Sequence, residues 1–202
     1  RLSGRLGQQV VVENRGGAGQ TLAGEVLARA APDGHSLMIV SSSFAISALV
    51  YPKLPYDTVR DFAGVGQVAT IPQVVVVHPS LPVRTGPELV ALARRRPGAL
   101  AFASGGNGST QHLGAELFRL VTGTDMTHVP YKGSGPAIAA MLAGEVQVFF
   151  TTASSVQGLM KDGRLRAVAA AVARRIPTLP DLPTLSEQGI RGIDVTGNYG
   201  LL

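Results

Sequence analysis

Short apolar runs recur along the chain, and most are followed by a loop of small residues and then by a segment with helical spacing. Residues 10–12, 37–40, 65–69, 74–77, 100–103, 128–131, 146–150 and 165–172 read as strands. A strand with one wet face alternates apolar and polar side chains, whereas a continuous apolar run needs cover on both faces. The helical segments supply that cover. Thr21 opens a helix with Leu22, Ala23, Val26, Leu27 and Ala30 on one face, stopped by Pro32-Asp33-Gly34. Thr85 with Glu88 makes a capping box. A helix from Thr110 places Leu113, Leu117, Leu120 and Val121 three or four apart, facing the core. Pro136 fits the first turn of a helix that Gly144 ends, residues 155–161 form a short helix, and Thr184 with Glu187 caps a last one that stops at Gly189.

The strand–helix alternation occurs on both sides of Pro97-Gly98. The expected class is therefore α/β in two lobes, with parallel-rich sheets flanked by helices. Residues 1–98 form the first lobe, 99–196 the second, and 197–202 begin a strand that crosses back to the first. The chain opens within a helical run and ends on Tyr199-Gly200-Leu201-Leu202, so the first lobe is expected to be incomplete. The Pro-rich stretch 51–57 reads as irregular.

Composition narrows the chemistry. With 202 residues, 45% apolar, the chain can bury a substantial core. The absence of Cys excludes disulfide scaffolds, cysteine zinc sites and thiol catalysis. The net charge of +5 comes from scattered basic residues, and the dense runs Arg94-Arg95-Arg96 and Arg174-Arg175 fall where helices or strands end. No aromatic residues interleave with them, so nucleic acid is not an expected partner. No apolar run is long enough to span a bilayer. No two His have metal-ligand spacing and the acids form no cluster, so neither a metal nor a cofactor is expected.

Four loops follow strands, at 14–20, 41–44, 104–109 and 132–135, where helix N-termini point in an open α/β sheet. They are rich in Gly and small hydroxyls. Gly lets successive backbone N–H groups face a ligand, hydroxyls add donors, and the helix dipole adds partial positive charge. An anion could be held this way without Lys. The glycine patterns at Gly17-x-Gly19 and Gly106-x-Gly108 lack the third Gly of a dinucleotide fingerprint, and neither ends as a P-loop does. His112 either contacts an anion at a helix mouth or pairs with Glu116 one turn on; His128 reads as a core or inter-strand histidine. The elbow Gly-x-Ser-x-Gly is absent, so no serine stands out as a nucleophile.

Longer stretches are more specific. The run Gly7-Gln8-Gln9-Val10-Val11-Val12-Glu13-Asn14-Arg15-x-Gly17-Ala18-Gly19 resembles a hallmark of the Bug family, the periplasmic solute-binding receptors of tripartite tricarboxylate transporters. Also similar are Lys53-Leu54-Pro55-Tyr56-Asp57, Ser104-x-Gly106-x-Gly108-Ser109-Thr110-x-His112-Leu113, His128-Val129-Pro130-Tyr131-Lys132-Gly133 and Leu179-Pro180-Asp181-Leu182-Pro183-Thr184. The resemblance implies a type II periplasmic binding protein, a hinged Venus-flytrap that closes on a small organic acid without turnover and delivers it to membrane permease subunits.

By the same resemblance, a ligand carboxylate lies near Ser104, Gly106, Asn107, Gly108, Ser109, Thr110 and His112. Gly17, Ala18, Gly19, Ser41, Ser42, Ser43, Tyr131, Lys132 and Gly133 line the rest of the cleft. Relatives often carry Phe-Asp where this chain has Phe150-Thr151-Thr152. An acid there suits an ammonium group, so Thr151 points to a plain carboxylic acid rather than an amino acid. Two other readings stand beside this one: the effector-sensing module of a transcription regulator with the same two-lobed fold, and an acyl-transfer or phosphatase-type enzyme using Ser104 or Ser109.

Overall fold

A computed structural model describes residues 2–202, apart from the side chain of Ala18. In chain order the elements are α1 (Leu2–Leu6), α2 (Thr21–Ala28), β1 (Ile39–Ser41), α3 (Ser42–Val50), β2 (Gly66–Val77), α4 (Gly86–Arg95), β3 (Ala101–Ser104), α5 (Thr110–Thr122), β4 (Thr127–Pro130), α6 (Ser134–Leu142), β5 (Val148–Thr152), α7 (Ala153–Lys161), β6 (Arg166–Ala170) and β7 (Thr196–Leu201). A 3-10 turn, Ala18–Gln20, leads into α2.

The long strand β2 organises the molecule. Its first half, from Gly66 to Pro72, pairs with β7, which in turn pairs with β1. Its second half pairs with β5 on one side and β6 on the other. Pro72 has no N–H to donate and stands where the partners change. The expectation of separate strands at 65–69 and 74–77 gives way to this one element. The expectation of parallel strands holds where β3 runs parallel with β4 and with β5. All pairs made by β2 and β7 are antiparallel, so the sheet as a whole is mixed.

The second half of β2 is buried on both faces, which is why its sequence is Val74-Val75-Val76-Val77 without alternation. Val75, Val77, Phe102, Phe150 and Val148 pack with Leu89 and Ala93 of α4 and with Ala115 and Phe118 of α5. Val74, Val76, Ala103 and Phe149 pack on the opposite face with Ala137 and Met141 of α6 and Val156 of α7. Phe102, Phe118, Phe149 and Phe150 are fully buried, each contributing roughly 2–3 kcal/mol of transfer free energy. A third, smaller cluster gathers Met38, Phe44 and Tyr56, with Ala23 and Leu27 against it.

Several local expectations are corrected. Residues 10–12 form no strand, and Val11 and Val12 are 74% and 78% exposed. Apolar sequence alone makes no strand when no neighbouring strand takes its hydrogen bonds. On α2, Ala23 and Leu27 pack inward while Leu22 and Val26 are half exposed. On α5 the buried positions are Gln111, Gly114, Ala115, Phe118 and Thr122, whereas Leu120 is 80% exposed. Residues 42–50 form a helix that the serine run concealed. Residues 185–189 form turns rather than a helix, although the capping box is made: Glu187 N donates to Thr184 Oγ1 at 3.1 Å and Thr184 N to Glu187 Oε2 at 2.8 Å. The returning strand begins at Thr196.

Candidate functional site

The loop after β3 is built almost wholly by hydrogen bonds to itself and to α5. Ser104 is fully buried at the strand end, and its Oγ accepts from Gly106 N at 3.1 Å and lies 2.6 Å from His128 Nε2. Gly105 N donates to Gln111 Oε1 at 2.7 Å, and Gln111 Nε2 donates to Ser134 Oγ at 2.7 Å, tying the loop to the start of α6. Ser109 caps α5 by accepting from His112 N at 3.2 Å. Gly108 N donates to His112 Nδ1 at 3.2 Å. Gly106 and Gly108 have φ of 126° and 73°, which no β-branched or bulky side chain adopts without strain.

After this accounting the backbone N–H groups of Asn107, Thr110 and Gln111 have no hydrogen-bond partner among the described residues. Thr110 and Gln111 open α5, where the helix macrodipole presents partial positive charge. The adjoining loop is bound to the same place: Tyr131 N donates to Ser104 O at 3.0 Å and Gly133 N to Gly105 O at 3.2 Å. Gly133 (φ 108°) precedes α6 without a side-chain cap. Lys132 is exposed, and burial together with the Glu145 charge raises the Tyr131 phenol above its ordinary value, which keeps it a donor.

Across from this loop stands the first half of the molecule. A methyl group on Gly19 would lie 3.9 Å from Asn107 O, and one on Gly108 would lie 3.2 Å from Val50 Cγ2. The loops around Gly19 and Gly108 therefore meet face to face. Gln20, in the left-handed region at φ 75°, links the first of them to β1: its Oε1 accepts from Ser41 N at 2.8 Å and Ser41 Oγ at 2.9 Å. Ser41 Oγ also caps α3 by accepting from Ser43 N, Ser43 is buried, and Ser42 Oγ accepts from Asn198 N of β7 at 3.1 Å. Gly17 stands beside Leu22, and the side chain of Ala18 lies outside the described residues. Thr151 is placed apart, within β5 opposite Val74, fully buried and with its hydroxyl oxygen unpartnered.

Sequence reasoning missed the two glutamines that hold these loops. Gln111 and Gln20 carry no motif signal of their own; only their places beside a glycine loop point to them. Two surface concavities lie elsewhere, one lined by Gly64, Gly66, Gln67 and residues 198–202, the other by residues 79–84, Glu88 and Arg166.

His112 and His128 are both held below the ordinary imidazole value. Burial is the main cause lowering His112, opposed by the Glu116 charge. Burial and the neighbouring His112 push His128 down to about 4. The Ser104–His128 distance is that of a nucleophile and its base, but the serine is sealed from solvent and its oxygen is occupied by Gly106 N. Among the described residues no carboxylate hydrogen-bonds to His128. The arrangement positions a loop; it does not present a nucleophile. No group of three metal-ligating side chains occurs among the described residues.

The profile of the family described as "Tripartite tricarboxylate transporter family receptor" matches residues 1–202. The protein BugT of Bordetella pertussis is 38% identical over 190 residues, and a UPF0065 protein of Pseudomonas sp. (strain P51) is 37% identical over 196. Those matches take in 93% and 96% of this chain, which spans 58% of the length of either relative. Among solved structures, R. palustris Rpa4515 with adipate superposes with TM-score 0.96 at 34% identity, covering 99% of this chain and 67% of that one. MatC from Rhodopseudomonas palustris with bound malate gives 0.92 at 30%, covering 99% and 68%. The fold is thus that of periplasmic binding proteins, and this chain belongs to the TctC family of tripartite tricarboxylate transporter receptors.

Proposed function

We propose that this chain is the ligand-gripping part of a periplasmic receptor that holds a small di- or tricarboxylate and hands it to the membrane permease of a tripartite tricarboxylate-type transporter. The observation that carries the reading is the set of backbone N–H groups at Asn107, Thr110 and Gln111 without a partner among the described residues, in a loop whose Asn107 carbonyl lies close to Gly19 of the other half of the molecule. Amides fixed in this way grip carboxylate oxygens without reorganising. The adipate and malate named with the two R. palustris structures support the ligand class. No acidic side chain stands at 17–20, 41–43, 104–110 or 131–133, and Thr151 is neutral, so these segments offer no carboxylate to pair with an ammonium group. The preferred ligand is a plain carboxylic acid.

In this reading the two lobes meet within β2. The packing of α4 with Phe102 and Phe118 supports a boundary near Pro72 in place of the one expected at Pro97-Gly98. Residues 196–201 return to the first lobe beside it.

Adipate, malate and aspartate, added separately at rising concentration, test the proposal by isothermal calorimetry and by thermal melting. Adipate or malate is expected to give saturable heat and to raise Tm by mass action, about 2.7 kcal/mol of stabilisation at 100 times Kd, with aspartate weaker. Thr110→Ala removes a free hydroxyl donor at the helix mouth and is expected to weaken binding by about 1 kcal/mol. No heat and no shift with either plain acid would sink the proposal.

A further inference from the structure

The carboxylate reading leaves unused the pair of rings beneath the glycine loop. His112 and His128 stack with centroids 4.1 Å apart, and His128 stacks in turn on Phe102 at 4.8 Å. Each ring holds one point of the loop: His128 Nε2 meets Ser104 Oγ, and His112 Nδ1 accepts the Gly108 N–H. The second bond dictates a charge state, because a ring nitrogen that accepts a hydrogen bond carries no proton. A proton on Nδ1 would set donor against donor. Gly108 is also where the loop rests on the other half of the molecule, with Val50 3.2 Å from where its Cβ would stand.

The charged groups that face the stack come from α5 itself. His112 Nε2 is 3.8 Å from Glu116 Oε1. Glu116 is already paired with Arg119 at 2.8 Å, and Arg119 with Asp125 at 3.2 Å. β4 contributes His128, and β3 contributes the uncharged Phe102 and Ser104. The stack therefore shares its counter-ion, Glu116, with Arg119, and two imidazolium rings this close repel each other. Burial lowers both rings further.

We propose that His112, steadied by its stack on His128, is a positioning residue for carboxylate binding: neutral, it holds Gly108 and the loop in gripping form, and protonated, it lets the loop go, so that affinity falls as the medium turns acidic. The inference rests on the carboxylate reading for its ligand and on the loop geometry for its device, and the two can fail separately.

The test compares this chain with His112→Asn, whose amide oxygen can stand where Nδ1 stands and does not titrate. Without ligand, the Gly108 amide resonance is followed by heteronuclear NMR from pH 7.5 to 5.0. It is expected to titrate in the parent and stay flat in the variant. Calorimetry with adipate at the two pH values then gives an affinity ratio for each protein, and protonation of adipate itself is common to both. The parent's ratio is expected to exceed the variant's by at least about threefold, as the binding-competent fraction falls. Equal ratios, or a Gly108 amide that titrates alike in both proteins, would overturn the proposal. Failure of adipate to bind either protein, with the Gly108 amide behaving as expected, would leave the loop device standing and remove the carboxylate reading.

Discussion

His128 links a single side chain to the stability of the whole. Its ordinary value is 6.5 and burial beside His112 takes it to about 4 in the folded protein. As pH falls below 6.5 the unfolded chain takes up a proton that the folded chain refuses, so stability declines from there to about 4 and then stops declining on this account. His112 acts in the same direction. The urea midpoint is therefore expected to drop between pH 7 and pH 4.5, and His128→Asn is expected to flatten that slope. Parent and variant losing stability in parallel would show that carboxylates such as Asp57 and Glu187, both held low by backbone N–H donors, govern acid unfolding instead. The sequence announced His128 as a core or inter-strand histidine, which it is, but could not show that Ser104 and His112 were its neighbours.

Among the elements, α2 shows how closely a helix is set by one missing side chain. A Cβ on Gly24 would fall 2.7 Å from Tyr56 Cζ and 2.9 Å from Phe44 Cε2. Those rings stack on each other and meet Phe62 edge-on, so neither can swing aside freely. Gly24→Ala gains roughly 1 kcal/mol of helix propensity but overpacks a site where such changes cost roughly 1–3 kcal/mol. A net loss of about 1 kcal/mol is expected in urea denaturation; a more stable variant would mean that α2 slides away from the aromatic cluster. The same physics explains the misjudged face of α5. Gly114 and Ala115 bury little area and count for little in a periodicity argument, yet Gly114 is what lets the helix approach Gln73 and Val195. Leu113 and Leu120, which dominate that argument, are left outside.

At the scale of the molecule, the two halves of β2 live in different surroundings. Residues 74–77 are completely buried between two cores, whereas residues 66–68 are exposed and belong to none of the three apolar clusters. Amides of the buried half are expected to exchange with deuterium only through global unfolding, while those of residues 66–70 and of β1 exchange far faster through local opening. Peptide-resolved exchange checks this, and equal protection along β2 would show one cooperative unit throughout.

The strand–loop–helix order from β3 onward, the caps at Thr85 and Ser109, the reciprocal bonds of Thr184 with Glu187, and the glycine loops after β3 and β4 were settled by local chemistry. Each depends on residues within a few positions of one another: a hydroxyl reaching an N–H three residues on, a glycine reaching positive φ, an apolar run demanding cover. Which loops face each other, where β2 changes partners, and that Gln20, Gln111 and His112 brace the loops were decided by contacts between residues far apart in the chain. Those contacts exist only once the cores on either side of β2 have packed, because burial and close approach set the charge states and hydrogen bonds that no stretch of the chain specifies alone.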